Sequence, residues 1–339
     1  MPQLRQDRLT REWVFVASES PRHPEELIVK RARRPLPAYD PSCPLCPGHD
    51  MNPVALPDMF PTDPYTRNAF SVRVVSPKTH ISNAEGEMPR LVRLSDLKSE
   101  SAAQEIIVET SDHSLSTALL PEPQLFAVLC AAKIRYEELS RDPRFAHISL
   151  GKKHGRGAGA VFDHAHWLLS ATGTIPAQVL DWMQHARRHF GKSGTCIFCT
   201  VLEEEFQSQQ RIVMSGEHFI ALEPYASPAP FCTHIFPRRH MASFAEIDSE
   251  ETEDLARILH GVLARFHHGL EDPDFVCALR TTPLANKGVK YYHWSLCLVP
   301  RLIQPENAAS GKNALLNSVL PETAAEFLRS VRIEQAIPA

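Results

Sequence analysis

Apolar positions along the chain predict the same order of elements twice. Residues 105–109 (EIIVE) have the composition of a strand, and a helix is predicted from about Pro121 to Ser140. Two further strands are predicted over residues 145–150 and 164–171. The apolar face of the helix is formed by Leu125, Val128, Leu129, Ala132 and Tyr136.

The second half of the chain repeats this order. Residues 231–237 predict a strand, and Asp248 predicts a capped helix that runs to about Leu270. Strands follow over residues 275–280 and 291–300. Each half therefore reads as strand, helix, strand, strand, which is typical of an α+β unit whose antiparallel sheet is packed against helices.

A predicted helix over residues 176–190 joins the two halves. We accordingly expect two tandem units, residues 1–175 and residues 176–339. The first hundred residues are rich in proline, and their clearest strand candidates are residues 12–18 and 70–76.

Composition narrows the class of protein. The 339 residues are 43% apolar and 22% charged, with a net charge of −4, so neither a nucleic-acid nor a membrane partner is expected. No apolar run of about 18 residues is present to span a membrane. The first residues, MPQLRQDRLTREWV, lack the apolar core of a signal peptide, and we expect a cytoplasmic protein.

Two Cys-x-x-Cys pairs are each followed by the same landmarks: a histidine, an Asp-Pro step and a second histidine. Equivalent landmarks lie 127, 130 and 129 residues apart, so chance is a poor explanation. Two cysteines and two histidines form the ligand set of a closed tetrahedral zinc site. The predicted ligand sets, each for one structural zinc ion, are Cys43, Cys46, His113 and His164, and Cys196, Cys199, His240 and His293.

Other interpretations of these residues remain open. Disulfide or redox chemistry is less favoured than metal binding in a long chain without an export signal. His234 is an alternative to His240 as a ligand. The four other cysteines lie in apolar patterns, which predicts buried small hydrophobic side chains for Cys130, Cys232, Cys277 and Cys297.

One difference between the halves points to chemistry. His166 follows His164 by two residues, so both side chains share one face of the predicted strand. The equivalent of His166 in the second half is Ser295. An additional imidazole beside a metal-bound histidine is suited to act as a nucleophile, and glycines in residues 155–159 let backbone amides approach a phosphate. The alternative is that His166 only packs on the sheet.

The whole chain resembles the galactose-1-phosphate uridylyltransferase family, a branch of the histidine-triad superfamily made of two fused repeats. The matching stretches are CPLC, EIIVETSDH, GRGAGAVFDHAHW, CIFC, FPRRH and YYHWSLCLVPRL. The family also contains ADP-glucose and dinucleoside-polyphosphate phosphorylases. The resemblance implies a ping-pong transfer through a nucleotidyl-histidine on His166, with His164 as a metal ligand, and a homodimer.

Several positions depart from the family pattern. Leu168 stands where the family usually has a glutamine that donates to the phosphate. The family's Asn-x-Gly is Lys153-His154-Gly155 here, its hydroxyl-bearing residue after the glycine loop is Val161, and its early asparagine is Pro77. Its Arg-x-x-Arg-Pro reads Ser20 to Pro24.

Either basic residues supply charge to the substrate in place of these contacts, or the substrate differs, or catalysis has been lost. Lys152 is one of the basic candidates, and the predicted substrate-binding residues are Arg22, Lys153, Arg156, Gly157 and Leu168.

The leading functional hypothesis is a nucleotidyltransferase that acts on a nucleotide sugar and a sugar phosphate. A second hypothesis is a phosphorylase or hydrolase of nucleotide sugars or dinucleotides with altered phosphate contacts. A third, from a different class, is a zinc-stabilised binding protein without turnover.

Overall fold

The computed structural model describes residues 3–16, 22–28, 33–49, 52–54, 56, 71–76, 102–302 and 315–333. Pro77, Ser20 and Pro21, on which sequence comparisons with the family were made, lie outside these ranges. Within the described part of the chain, no helix is both long and apolar enough to cross a membrane.

Helices and strands occur in the predicted order, and two helices, α3 and α5, were not predicted. The helices are α1 Glu122–Leu139, α2 Ala177–Ser193, α3 Ile197–Ser208, α4 Ser249–Gly269 and α5 Pro321–Ser330. The strands are β1 Gln3–Gln6, β2 Trp13–Val16, β3 Asn52–Val54, β4 Arg73–Ser76, β5 Ala102–Val108, β6 His147–His154, β7 His166–Thr172, β8 Ile212–Ser215, β9 Phe219–Leu222, β10 Thr233–Pro237, β11 Phe275–Arg280, β12 Ser295–Pro300 and β13 Leu315–Asn317.

Ten strands form one antiparallel sheet in the order β3-β4-β5-β7-β6-β11-β12-β10-β9-β8. This order is the same from either end if β3 is matched with β8, β4 with β9, β5 with β10, β7 with β12 and β6 with β11. The halves join at the centre, where Lys152 of β6 pairs with Cys277 of β11. The predicted α+β class is confirmed, and the structure adds that the two repeats share one continuous sheet.

The equivalent helices α1 and α4 pack against each other and against this sheet. All five residues of the predicted apolar face of α1 are buried in the main core. Asp248 caps α4 as predicted: its carboxylate accepts a hydrogen bond from the Glu251 amide at 2.8 Å. The Glu251 carboxylate accepts one from the Asp248 amide at 2.9 Å, which completes a capping box.

A small second sheet, β1-β2-β13, brings the two ends of the described chain together. Arg5 of β1 forms an ion pair at 3.0 Å with Glu322 of α5 and also donates to the Tyr225 carbonyl. Residues 3–16 therefore contact the second half, although they belong to the first in sequence. The division into units 1–175 and 176–339 remains a prediction.

Candidate active site and metal centres

The first Cys/His cluster lies where the Cys43–Cys46 turn meets the end of the first repeat's strands. The Cys46 thiol lies 3.5 Å from His113 Nδ1 and 3.6 Å from His164 Nδ1. Cys43 Sγ lies 3.9 Å from His164 Nδ1. The four residues predicted from the sequence thus lie together, and all four side chains are buried.

The second cluster is built in the same way on the second repeat. Cys196 is the N-cap of α3, and Cys199 lies in its first turn. Cys199 Sγ is 3.3 Å from His240 Nδ1 and 3.6 Å from His293 Nδ1. His234 does not join this cluster, so His240 rather than its alternative is the candidate ligand.

Backbone carbonyls orient equivalent histidines in the two clusters. His164 Nε2 donates to the Thr110 carbonyl at 2.7 Å, and His293 Nε2 donates to the Pro237 carbonyl at 2.8 Å. Both bonds fix the ring so that Nδ1 points to the thiols. Such a carbonyl partner is the usual means by which a metal-binding histidine is held in one tautomer.

The donor sets fit zinc. Zinc–sulfur bonds of about 2.3 Å and zinc–nitrogen bonds of about 2.0 Å in a tetrahedron place sulfur and nitrogen roughly 3.5 Å apart. The sulfur–nitrogen distances in both clusters lie near that value. All eight cysteines are free thiols, so the alternative of a disulfide framework has no support in the fold. A zinc ion bound by four protein ligands supplies folding energy rather than a reacting group.

His166 lies at the first position of β7, beside the first cluster. Its Nδ1 donates to the His164 carbonyl at 2.7 Å, which leaves Nε2 as the nitrogen with a free lone pair. The Phe162 ring contacts it edge-on, with centroids 5.6 Å apart. Burial, and next the charge of Lys152, lowers the pKa of His166 below its usual value, which favours the neutral imidazole.

A buried ion pair lies behind His166, on the helix side of the sheet. Lys152 Nζ is 2.7 Å from Glu109 Oε1 and also donates to the His166 carbonyl at 3.1 Å. Thr117 donates to the second oxygen of Glu109 at 2.7 Å. The expectation that Lys152 contacts a substrate phosphate is therefore wrong, because its charge is neutralised within the core. Sequence reasoning missed the ion pair of Glu109, because a glutamate at the end of an apolar strand gives no sign of its partner.

The glycine loop, residues 155–159, is hydrogen-bonded to the second repeat. Gly157 N donates to Asp274 Oδ2 at 2.7 Å, and Arg33 pairs with the other oxygen of Asp274 at 2.8 Å. The Gly157 amide is thus already used, and a phosphate at this loop would contact other groups. Arg156 is exposed there, and the ammonium of Lys153 lies next to Gly159.

Leu168 and Arg22, the other two predicted substrate-binding residues, lie in different parts of the fold. Leu168 lies two positions after His166 on β7, so both side chains are on one face of the sheet, and Leu168 is 38% exposed. Arg22 is also exposed, and its amide donates to the Ser318 carbonyl near β13. The described contacts do not bring Arg22 to His166.

Comparisons with known proteins agree with this architecture. Residues 182–307 match the family model for the galactose-1-phosphate uridyl transferase C-terminal domain. The chain is 25% identical to an ADP-glucose phosphorylase of Arabidopsis thaliana, over 98% of this chain and 93% of that protein. It is also 25% identical to a galactose-1-phosphate uridylyltransferase of Thermotoga maritima, over 98% of this chain and all of that protein.

A solved structure of the Arabidopsis ADP-glucose phosphorylase with bound ADP-glucose shares the fold, with a TM-score of 0.77 at 24% identity and 98% and 100% coverage. The doubled α+β unit therefore has the fold of this solved structure. The chain is similar to galactose-1-phosphate uridylyltransferases over nearly its whole length, and the family model matches within its second half.

Proposed function

We propose that this protein is a nucleotidyltransferase that moves a nucleoside monophosphate between a nucleotide sugar and a sugar phosphate, with His166 as the nucleophile. The observation that carries the proposal is the hydrogen bond from His166 Nδ1 to the His164 carbonyl, because it directs the free lone pair of Nε2 outward from the sheet. The galactose-1-phosphate uridylyltransferase of Thermotoga maritima supports the proposal, since its name denotes a transfer of this kind.

The chemistry proceeds in two displacements. Nε2 of His166 attacks the α-phosphorus of the nucleotide sugar, a nitrogen–phosphorus bond forms, and the sugar phosphate leaves with the bridging oxygen. The phosphate of the acceptor then attacks the same phosphorus and restores the imidazole. The His164 carbonyl stabilises the positive charge that the ring carries in the adduct, because it accepts the Nδ1 proton's hydrogen bond throughout.

Two basic side chains at the glycine loop are the candidate partners of the phosphates. Arg156 and Lys153 are both exposed there, and the Lys153 ammonium lies next to Gly159. Leu168 presents an apolar surface where the family has a donor. These residues remain proposals as substrate contacts, and so does Arg22.

Inorganic phosphate is the second candidate acceptor. The ADP-glucose phosphorylase relative favours it, since its similarity covers nearly the whole of both chains. In that variant of the proposal the first displacement is unchanged, and phosphate takes the nucleotide to give a nucleoside diphosphate.

The experiment is intact-protein mass spectrometry after incubation with UDP-glucose, ADP-glucose or GDP-glucose. We expect a mass increase of one nucleoside monophosphate in the natural protein and none in His166→Ala. Ser295→Ala, at the equivalent position of the second repeat, is the matched control and keeps the adduct. Adding galactose 1-phosphate or inorganic phosphate to the isolated adduct identifies the acceptor by its product.

Absence of an adduct with all three nucleotide sugars contradicts the proposal. Binding of these ligands with equal affinity by the natural protein and His166→Ala, without an adduct, supports a zinc-stabilised binding protein instead.

The two Cys/His clusters are proposed to hold one structural zinc ion each. A cytoplasmic location and a homodimer are also proposals. Gel filtration with light scattering tests the homodimer by its molar mass.

A further inference from the structure

A third group of soft ligands lies in the second repeat, apart from the two clusters. His234 of β10 pairs with Cys297 of β12, so the two side chains are neighbours on one face of the sheet. Cys232 precedes β10 and reaches the same place. The candidate ligand atoms of these three residues lie within 4.8 Å of one another.

These side chains are all in the protein interior. Cys232 is fully buried, His234 is 2% exposed and Cys297 is 5% exposed. Among the described residues, His234 Nε2 is buried without a hydrogen-bond partner. A buried imidazole nitrogen without a hydrogen bond is unusual in a native fold, and it is free to act as a metal ligand.

The donor set fits a soft metal ion. Two thiols and an imidazole that lie together in the protein interior are side chains that bind zinc and other soft metal ions.

We propose that Cys232, His234 and Cys297 form a third metal site, which binds zinc through two thiolates and one imidazole. Three protein ligands leave the fourth position to a water molecule or another small ligand, unlike the closed sets of the two clusters. The expectation that Cys232 and Cys297 are only small hydrophobic side chains is thus incomplete: both are buried, but not among apolar groups alone.

The site belongs to the second repeat only. The pair equivalent to His234 and Cys297 in the first repeat is Ile106 and Leu168, which face each other across β5 and β7. Neither can bind a metal ion, so duplication alone does not explain the third group. The repeat that has Ser295 in place of the nucleophile is the one that carries the additional ligands.

A cavity lies beside this place. His234 lines a cavity of about 290 Å³ between the N-terminal strands and α3, together with Asp7, Arg8, Tyr225 and Phe236. The imidazole therefore lies at the wall of this cavity, next to the place proposed for the ion.

The test is elemental analysis of the full chain after saturation with zinc and removal of free metal. We expect three zinc ions per chain, one for each group of ligands. The variants Cys297→Ala and His234→Gln should each contain two. Cys277→Ala is the matched control, because Cys277 is equally buried on a neighbouring strand but belongs to no cluster, and it should keep three.

A second measurement covers the case in which a variant fails to fold. Anomalous scattering at the zinc edge from crystals of the natural protein should show a peak between Cys232, His234 and Cys297. Two ions per chain with no such peak overturn the proposal, and so does a third ion that Cys297→Ala retains. A mass decrease of two hydrogens that is reversed by a reductant identifies a disulfide between Cys232 and Cys297, which also overturns it. His166→Ala should retain three ions, so this result is independent of the nucleotidyl transfer.

Discussion

Lys152 and Glu109 form an ion pair inside the protein, with 2.7 Å between Nζ and Oε1 and almost no exposure of either side chain. Lys152 comes from β6 and Glu109 from the end of β5, on either side of β7. Because Lys152 also donates to the His166 carbonyl, the pair connects the strand that carries the nucleophile to both of its neighbours.

Lys152→Met should destabilise the protein by roughly 3–5 kcal/mol, because it leaves the Glu109 carboxylate buried without its counter-charge. Urea denaturation at equilibrium measures the loss. The double variant Glu109→Leu/Lys152→Met should recover most of it, since an apolar pair replaces the ion pair. A single variant as stable as the natural protein would contradict the buried pair.

Leu168→Gln should raise the rate of adduct formation. The side chain is on the face of β7 that carries His166, and glutamine would add a hydrogen-bond donor to the phosphate. One donor to a developing charge is worth on the order of 100-fold, so we expect a gain of about 10- to 100-fold. Rapid-quench measurement of the first displacement tests this. Ser170→Gln, two residues further along β7 on the same face, should show no gain.

Gly155→Ala should destabilise the glycine loop more than Gly159→Ala. Both glycines have positive φ, but a Cβ on Gly155 would lie 1.8 Å from Asp274 Oδ1, whereas the nearest neighbour at Gly159 is 3.6 Å away. We expect a cost of about 1–2 kcal/mol at Gly159 from the backbone alone and a larger one at Gly155. Thermal denaturation compares them, and equal losses would show that Asp274 does not restrain the loop.

His147 should make stability dependent on pH. Burial lowers the pKa of His147 in the folded protein below the ordinary 6.5, so the unfolded chain binds a proton more readily. The neutral side chain therefore contributes its full stability above pH 6.5, and this stability is lost as the pH falls towards the pKa of the folded protein. The slope from one such group is at most about 1.4 kcal/mol per pH unit. His147→Phe should flatten the loss of stability below pH 6.5 in urea titrations. An unchanged slope in this variant would contradict the prediction.

Removal of zinc should lower the melting temperature sharply, because binding energy at a closed Cys/His site is folding energy. Cys43→Ser and Cys196→Ser should each have a similar effect and each lose one ion. Differential scanning calorimetry with and without a strong chelator provides the comparison. An unchanged melting temperature after complete metal removal would exclude a structural role.

The sequence alone was sufficient for the repeat, the fold class and the residues of the two Cys/His clusters. Cysteine and histidine at fixed spacings are rare enough to be recognised without coordinates. Periodicity located α1, and the capping signal at Asp248 located the start of α4. The short helix α3 was missed, since its first turn carries the Cys196–Cys199 pair and reads as a metal-binding turn.

The tertiary structure decided which charged side chains are exposed and able to contact a substrate. Lys152 and Lys153 are adjacent in sequence, yet one is sealed in the core beside Glu109 and the other is exposed at the loop. Composition cannot separate them, because the partner that neutralises a buried charge lies 43 residues away. In the same way, Cys232, His234 and Cys297 became a group only when β10 paired with β12, since hydrogen bonding between distant strands sets which side chains meet.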